Sequence, residues 1–314
     1  MSASFASALS AARDAAASQH YPQGTLYVVA TPIGNLADIT LRALHMLQLA
    51  DTIACEDTRH TQSLLRAYGI DKGGAQLLAV HQHNESEAAK AVVERLRAGQ
   101  RVAYVSDAGT PGVSDPGARL AHTVAAAGLR CLPLPGASSV TTALSAAGAV
   151  AHGPGAAGFL FAGFLPTRGA ERAAAVQALA LESRCVVLLE APHRIEELGR
   201  ALAVLGDRPV TLARELTKQF EEITTHPAQA LTEWLGGNPQ RARGEFVVLL
   251  HPLQAAAPDD DAEGRRVLQL LLPELPLKTA VKVAAELTGQ PRNALYELAL
   301  QLRREADSAD EEGD

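Results

Sequence analysis

The sequence has few of the residues that support cross-links or metal sites. It holds three cysteines in 314 residues, Cys55, Cys131 and Cys185. Their odd number and wide spacing exclude a disulfide framework and a CxxC metal clamp, and favour a reducing cytoplasm. The pair His81 and His83 has no further ligand at metal-binding spacing, so we expect no metal.

Two common phosphate-binding signatures are also missing. No GxGxxG follows a predicted strand, and no GxxxxGK[ST] occurs. The usual loops for dinucleotides and nucleoside triphosphates are therefore excluded. A ligand must be held by loops of another kind.

Charge is absent from a long internal stretch, since no Asp, Glu, Lys or Arg lies between Arg130 and Arg168. Prolines and glycines interrupt this stretch, which predicts a buried strand, loop and helix rather than a membrane span. Residues 1–22 are rich in Ala and Ser and have no hydrophobic centre. They predict a flexible leader rather than a secretory signal.

The chain also lacks an excess of positive charge, with 28 Lys and Arg against 35 Asp and Glu. That balance argues against electrostatic binding of nucleic acid. The charge is uneven, however: residues 265–304 hold seven basic and three acidic side chains, between an acidic linker at 254–264 and an acidic tail at 305–314. The charge of this segment is compatible with binding to phosphate backbones and is equally compatible with an ordinary solvated helical face.

Short β-branched runs alternate with helical patterns along the first half of the chain. They predict βαβ units around a mostly parallel sheet in a lobe at 23–152. After a Gly- and Pro-rich break, further strands predict a second, mixed α/β lobe at 153–253. The predicted strands are residues 25–30, 52–55, 77–81, 102–106, 129–134, 159–164, 185–190, 210–214, 221–225 and 245–250.

The basic segment carries a helix-turn-helix pattern. Apolar residues at helical spacing occupy 277–287 and 293–302, Gly289 suits the end of the first helix, and Pro291 suits the start of the second. Such a pattern is also common in plain helical bundles. Nucleic-acid binding by this module therefore depends on its charge as well.

The strongest local signal is the loop at 106–117, directly after a predicted strand. Loops at the carboxyl ends of parallel strands line the ligand crevice. Glycines let the backbone approach a ligand, and Pro111 and Pro116 reduce the entropy lost on binding. The alternative is a structural turn in which Asp115 caps the next helix. Similar turns at 31–35 and 135–139 follow equivalent strands.

Two further segments concentrate polar chemistry. Residues 55–60 place Glu56, Asp57, Arg59 and His60 together, although Thr58 also suits a helix cap, with Asp57 favouring the N-terminus of that helix. Residues 81–85 suit polar contacts with a substrate. In the second lobe Lys218 is one of only five lysines, and a salt bridge with Glu215 is its structural alternative.

Six ordered segments carry a family resemblance. They are TPIGNLAD (31–38), CEDTRHT (55–61), SDAGTPGVSDPG (106–117), PGASS (135–139), ARELTK (213–218) and GEFVV (244–248). From about residue 24 to 252 the chain resembles the small-subunit ribosomal RNA methyltransferases of the tetrapyrrole-methylase-like class, which depend on S-adenosylmethionine. The helix-turn-helix pattern resembles their C-terminal module.

The resemblance implies a two-lobed α/β homodimer with a small C-terminal helix-turn-helix module. It implies methyl transfer from S-adenosylmethionine to a cytidine ribose 2′-hydroxyl in 16S rRNA of the small ribosomal subunit. The cofactor-binding positions it implies are Pro32, Asp107, Ala108, Gly109, Val113, Ser114, Ser138, Phe164 and Leu189.

For the chemistry, holding the hydroxyl oxygen about 3 Å from the methyl group can supply much of the rate. A group that draws the proton away also helps, and Asp57 and Lys218 are the catalytic candidates. The expected substrate-binding residues are Arg59, His60, His83 and Asn84.

Two other functions stay open. One is a methylase of a tetrapyrrole precursor, which shares the fold and the cofactor but needs no helix-turn-helix module. The other is a non-catalytic RNA-binding protein that retains the fold.

Overall fold

A computed structural model describes residues 5–81, 83–150, 157–253 and 260–311, with backbone only at 260–263 and 305–311. The chain divides into two compact units. The first contains both α/β lobes, up to residue 150 and from 159 to 251. The second contains the C-terminal helices, and each unit is described by itself.

The first lobe is built on a parallel sheet in the strand order β3-β2-β4-β1-β5. Its strands are β1 (Thr25–Val29), β2 (Thr52–Cys55), β3 (Leu77–Ala79), β4 (Val102–Val105) and β5 (Arg130–Leu134). Its helices are α1 (Ala6–Ala16), α2 (Leu41–Leu49), α3 (Thr58–Tyr68), α4 (Glu85–Arg97), α5 (Gly117–Ala126) and α6 (Ser139–Ala146).

The parallel arrangement follows from burial on both faces of the sheet. Every residue of β2 and β4 is buried. Tyr27 and Ile53 face one hydrophobic cluster, whereas Leu26 and Ala54 face the other. Strands buried on both sides are expected to be continuously apolar rather than alternating, as these sequences are.

The second lobe contains a mixed sheet in the order β6-β7-β10-β8-β9, in which only β6 and β7 are parallel. Its strands are β6 (Phe159–Gly163), β7 (Cys185–Glu190), β8 (Pro209–Arg214), β9 (Glu222–Pro227) and β10 (Phe246–Leu250). Its helices are α7 (Gly169–Ala180), α8 (Ile195–Leu202) and α9 (Leu231–Gly236). All ten predicted strands are present, with ends within two residues of those expected.

The uncharged stretch between Arg130 and Arg168 contributes β5, α6 and β6. The predicted strand, loop and helix correspond to β5, the turn after it and α6, although β5 is only partly buried. Among the described residues we find no helix with the length and hydrophobicity that a bilayer crossing requires.

The predicted flexible leader is wrong for residues 6–16, which form α1 and pack against α2. Ala12 is fully buried in the core, and the Phe5 ring meets Tyr68 edge-on with centroids 5.0 Å apart. Alanine has the highest helix propensity, and its small side chain lets two helices approach closely. The same composition that looks like a loose leader therefore suits a closely packed helix.

The C-terminal unit is a three-helix cluster of α10 (Asp260–Leu271), α11 (Leu277–Thr288) and α12 (Arg292–Glu311). The predicted helix-turn-helix is present, and Gly289 ends α11 with a left-handed φ of 74°. Leu268 of α10 packs with Ala280 and Leu295.

The boundaries of this unit differ from those expected. Helix α10 starts inside the predicted acidic linker, where the buried Gly264 packs against Leu295 of α12, and α12 continues through residues 305–311 of the predicted acidic tail. The predicted lobe boundary at 152–153, the linker residues 254–259 and the tail residues 312–314 lie outside the described residues.

The packing of α1 can be tested with two neighbouring substitutions. Ala12→Glu places a carboxylate in the α1–α2 interface and should lower the free energy of unfolding by about 2–4 kcal/mol. Ala11→Glu lies on the exposed face of the same helix and should change it little. Urea denaturation measures both variants. Equal stability of the two would show that α1 does not pack as described.

Candidate active site

Three loops meet at the carboxyl edge of the first sheet, because β1 lies between β4 and β5. The Thr31 N–H donates to the Gly109 carbonyl at 2.9 Å, and the Gly109 N–H donates back to Thr31 at 3.1 Å. The Thr110 hydroxyl donates to the Ala137 carbonyl at 2.9 Å. The loops after β1, β4 and β5 therefore form one connected platform.

Asp115 fixes the tip of the long loop at 106–117. Its carboxylate accepts hydrogen bonds from the N–H groups of Gly112 (2.6 Å), Val113 (3.0 Å) and Gly117 (2.7 Å). The buried Tyr104 hydroxyl donates to it at 3.2 Å. Asp115 thus bonds to the first residue of α5 and gives the loop a fixed shape, although the N-cap of that helix is Pro116 and not the predicted Asp115.

Backbone strain is concentrated around this platform. Among the described residues, the only non-glycine residues with positive φ are Ser114 (64°), Glu215 (50°) and Thr217 (65°). Such conformations cost about 1–3 kcal/mol each and cluster at functional sites. All three belong to segments that the sequence analysis singles out.

Lys218 lies in the turn after β8, between two carboxylates. Its Nζ donates to Glu215 Oε1 and to Glu245 Oε2, both at 2.9 Å. Burial alone would lower the pKa of Lys218, but the two hydrogen bonds and the negative charges outweigh it and raise the pKa. The salt bridge to Glu215 is therefore real, and Lys218 is protonated at neutral pH.

The same turn contacts the first lobe. A Cβ at Gly34 would lie 2.5 Å from Cγ of Lys218, so the lysine stem lies directly over this glycine. The Asn35 N–H donates to the Thr217 hydroxyl at 3.1 Å. These contacts set the position of the ammonium group relative to the loop after β1.

A cavity of about 330 Å³ opens between the two lobes, within the size range of ligand pockets. Its lining is mostly apolar, with Ser139, Glu190 and Glu245 as the polar exceptions. The lining residues are Ile33, Ala108, Ser139, Phe164, Leu189, Glu190, Ala191, Pro192, Ala213, Leu216, Glu245, Phe246 and Val247. Three predicted cofactor positions, Ala108, Phe164 and Leu189, are among them.

A second cavity of about 480 Å³ shares Ile33, Ala108 and Glu245 with the first. The predicted residues that line it are Pro32, His60, Asp107, Ala108 and Lys218. The two cavities are therefore neighbours with a common wall. A third cavity, of about 670 Å³, is lined by His83 and Ser114 among others.

The other predicted positions lie outside these three cavities. Gly109 lies beside Ile33, Ser138 precedes the start of α6, and Val113 is exposed in the long loop. Asn84 uses its amide to shape the turn after β3, since it accepts from the His81 N–H at 2.8 Å and donates to the Ala79 carbonyl at 3.0 Å.

Asp57, rather than the predicted Thr58, is the N-cap of helix α3. Its carboxylate accepts from the backbone N–H of Arg59 at 2.8 Å and pairs with the exposed Arg59 guanidinium at 2.9 Å. These hydrogen bonds lower the pKa of Asp57 to about 2. Asp57 is therefore ionised, already engaged by Arg59, and weakly basic.

Glu56, the preceding residue, has the opposite character. Burial, together with the negative charges of Asp107 and Asp115, raises the pKa of Glu56 to about 7. Its Oε1 is buried without a hydrogen-bond partner. Sequence reasoning placed Glu56 in the right segment but did not select it as a site residue.

Sequence reasoning also missed Glu190 and Glu245. Both lie at ends of buried strands of the second sheet, at the end of β7 and just before β10. An acidic residue at the end of an apolar run was the available signal. In the described part of the chain, no group of three or more His, Cys, Asp or Glu side chains is arranged to hold a metal ion.

Comparison with known families identifies the class. Residues 25–232 match the family model of tetrapyrrole (corrin/porphyrin) methylases. Residues 258–303 match the model of the RsmI C-terminal HTH domain. The first match runs from β1 to the start of α9 and so covers the first lobe and most of the second, and the second match covers the C-terminal helices to residue 303.

Curated relatives narrow the class further. The ribosomal RNA small subunit methyltransferase I of Escherichia coli O157:H7 is 46% identical over 281 residues, which cover 89% of this chain and 96% of that protein. The Pseudomonas aeruginosa protein of the same name is 46% identical over 282 residues, which cover 88% and 97%. The chain therefore belongs to the tetrapyrrole methylases and, within them, to the ribosomal RNA small subunit methyltransferase I family.

Solved structures agree with this fold. The methyltransferase CobJ is 20% identical, with a TM-score of 0.53, and the match covers 73% of this chain and 95% of CobJ. A uroporphyrin-III C-methyltransferase from Thermus thermophilus, complexed with S-adenyl homocysteine, is 18% identical, with a TM-score of 0.50 and coverage of 72% and 96%. The predicted family and the two-lobed fold with its C-terminal module are confirmed.

The raised pKa of Glu56 predicts a pH-dependent stability difference. An acid whose pKa rises on folding from the usual 4.5 to about 7 makes the folded state less stable as pH increases through that range. Glu56→Gln removes this loss. As the pH rises from about 5 to about 8, the unfolding free energy of the variant should therefore increase by about 1–2 kcal/mol relative to that of wild type.

Urea denaturation at the two pH values measures this difference. Glu94→Gln, at an exposed position on α4, is the matched control and should show no pH-dependent difference from wild type. A pH-independent difference for Glu56→Gln would contradict the raised pKa.

Proposed function

We propose that the protein transfers a methyl group from S-adenosylmethionine to the ribose 2′-hydroxyl of a cytidine in 16S rRNA of the small ribosomal subunit. The observation that carries the proposal is the pair of adjoining cavities, one apolar and one holding Lys218, in a chain whose relatives are named for small-subunit rRNA methylation. The basic C-terminal module supports an RNA substrate.

The residues of the interlobe cavity fit S-adenosylmethionine. Its apolar walls suit an adenine ring, and Glu190 has a buried oxygen without a partner. When bound, the cofactor supplies an electrophilic methyl group on a sulfonium. The residues proposed to hold it are Pro32, Asp107, Ala108, Gly109, Val113, Ser114, Ser138, Phe164 and Leu189.

Lys218 is proposed as the catalytic residue, acting as a hydrogen-bond donor. Its raised pKa means that it cannot take up the proton of the hydroxyl at neutral pH. A fixed ammonium group instead stabilises negative charge on the oxygen while solvent water accepts the hydroxyl proton, and the methyl group moves from the sulfonium, which becomes a neutral thioether. Glu215 and Glu245 hold this ammonium in place from two sides.

Asp57 is the second catalytic candidate, with a supporting role. Its pairing with Arg59 lowers its basicity, so it contributes chiefly by fixing Arg59 and the start of α3. His60, one residue further, lines the same cavity as Lys218. Arg59, His60, His83 and Asn84 are the proposed contacts with the RNA strand.

The proposal extends to a homodimer in the cytoplasm. Large apolar side chains are exposed on the two-lobed unit, and Phe159 and Phe220 are examples at 44% and 67% exposure. Such side chains suit a subunit interface when they are grouped on one face. Three free cysteines suit a reducing compartment.

Transfer of labelled methyl from S-adenosylmethionine tests the function. We expect label in unmethylated small ribosomal subunits, at a cytidine 2′-oxygen identified by mapping, and none in uroporphyrinogen. Label in the tetrapyrrole alone would overturn the proposal. Failure to bind S-adenosylmethionine in calorimetry would favour a non-catalytic RNA-binding protein.

Variants in the same assay test the catalytic assignments. Lys218→Met keeps the stem over Gly34 but removes the charge, and should slow single-turnover transfer by about a hundredfold. Asp57→Asn still caps α3 and should slow it by less than about tenfold. Cofactor affinity should stay normal in both. Lys90→Met, at an exposed position on α4, is the control. Full rates in both site variants would remove both assignments.

The C-terminal module is tested through two lysines. Lys278 and Lys282 are exposed one helical turn apart on α11. Replacing both with Ala should weaken binding to small subunits and reduce the slope of log affinity against log salt by about 1–2, because each phosphate contact releases counterions. Lys90→Ala should leave the slope unchanged. An unchanged slope in the double variant would exclude this surface from RNA binding.

A further inference from the structure

Glu190, at the end of β7, is a buried carboxylate that is only partly satisfied by the protein. Its side chain is 0% exposed. Oε1 accepts from the Ala191 N–H at 2.9 Å and lies 3.1 Å from Nε of Arg194. Oε2 is buried without a hydrogen-bond partner. A buried charged oxygen in this state is costly unless a ligand completes it.

The surroundings of Glu190 indicate where that ligand lies. Glu190 lines the interlobe cavity, and its neighbours on the wall include Leu189, Pro192 and Phe246. These side chains offer no hydrogen-bond donor. Because Oε1 is occupied by the turn and by Arg194, Oε2 is the oxygen available to a molecule in the cavity.

The net charge of the Glu190–Arg194 pair determines which kind of hydrogen-bond donor in a ligand it favours. Arg194 is held in place by donating from Nη2 to the Leu165 carbonyl at 2.6 Å, and its charge compensates that of Glu190. A compensated carboxylate in an apolar wall favours a neutral donor over the ammonium group of the cofactor. The adenosine part has two kinds of neutral donor, the adenine amine and the ribose hydroxyls.

A carboxylate is an acceptor only. Beside the adenine amine it would meet the acceptor nitrogens of the ring, whereas the ribose diol presents two donors. We propose that Glu190 Oε2 accepts hydrogen bonds from the ribose hydroxyls of the cofactor. This inference rests on the proposed function, since it requires the cofactor to occupy the interlobe cavity.

A structural role is the alternative. Glu190 and Arg194 are four residues apart, and their pairing also stabilises the turn after β7. If that were the whole role, replacing either partner would have similar effects on stability and affinity. Neither replacement would then change how the protein distinguishes one ribose from another.

Calorimetry with product analogues separates the two roles without relying on activity. Wild type is titrated with S-adenosylhomocysteine, with its 2′-deoxy and 3′-deoxy analogues, and with S-inosylhomocysteine, which lacks the adenine amine. We expect at least one deoxy analogue to bind about tenfold to a hundredfold more weakly than the parent, the range for a hydrogen bond to a charged group.

Glu190→Gln should weaken the parent compound by about tenfold and bring the sensitive deoxy analogue to within about threefold of it. Arg194→Gln keeps the carboxylate and should keep the discrimination, even if both variants lose stability in thermal unfolding. The wild-type titrations need no variant, so the inference can be tested even if Glu190→Gln does not fold.

Each remaining outcome is decisive. Equal binding of the parent and both deoxy analogues by wild type would overturn the ribose contact and leave the proposed function intact. Loss of discrimination only against S-inosylhomocysteine in Glu190→Gln would overturn it in favour of the base. No binding of S-adenosylhomocysteine would overturn the proposed cofactor site itself.

Discussion

The reciprocal backbone bonds between Thr31 and Gly109 constrain the whole candidate site. They join the loops after β1 and β4 outside the sheet, and Gly109 can make them because its φ of 80° is open to glycine. Ile33 and Gly34 come shortly after this bridge in the chain. Ile33 lies beside Gly109, and the stem of Lys218 lies over Gly34. The paired backbone therefore positions the first-lobe loop against which the stem of Lys218 packs.

The protonation state of each ionisable side chain near this site is set by its neighbours. Lys218 stays protonated because two carboxylates hold it, whereas the pKa of Glu56 is raised because burial disfavours its charge and because Asp107 and Asp115 add negative charge nearby. Asp57 is kept ionised by Arg59. Adjacent acidic residues in one sequence segment thus have very different proton affinities, which depend on what the fold places beside each of them.

The sequence was sufficient to predict the strands, because buried β-branched runs carry their own signal, and the long loop, because Gly and Pro mark it. Helix α1 was missed because an alanine-rich segment reveals its propensity but not its packing partner. Glu56 and Glu190 were missed for a related reason: the state of a carboxylate oxygen depends on tertiary neighbours such as Arg194 and Asp115. The second-lobe positions Phe164 and Leu189 came from the family resemblance, and both line the cavity.

The burial of Glu190 beside Arg194 limits the effect of dissolved salt on this carboxylate. Dissolved ions screen exposed charges within about 10 Å at 0.1 M salt, but act much less on a buried, compensated pair. The lysines of α11 are exposed, and Glu190 is not. Under the proposed function, a higher salt concentration should therefore weaken RNA binding and leave cofactor binding nearly unchanged, so that protein released from RNA by salt still carries its cofactor.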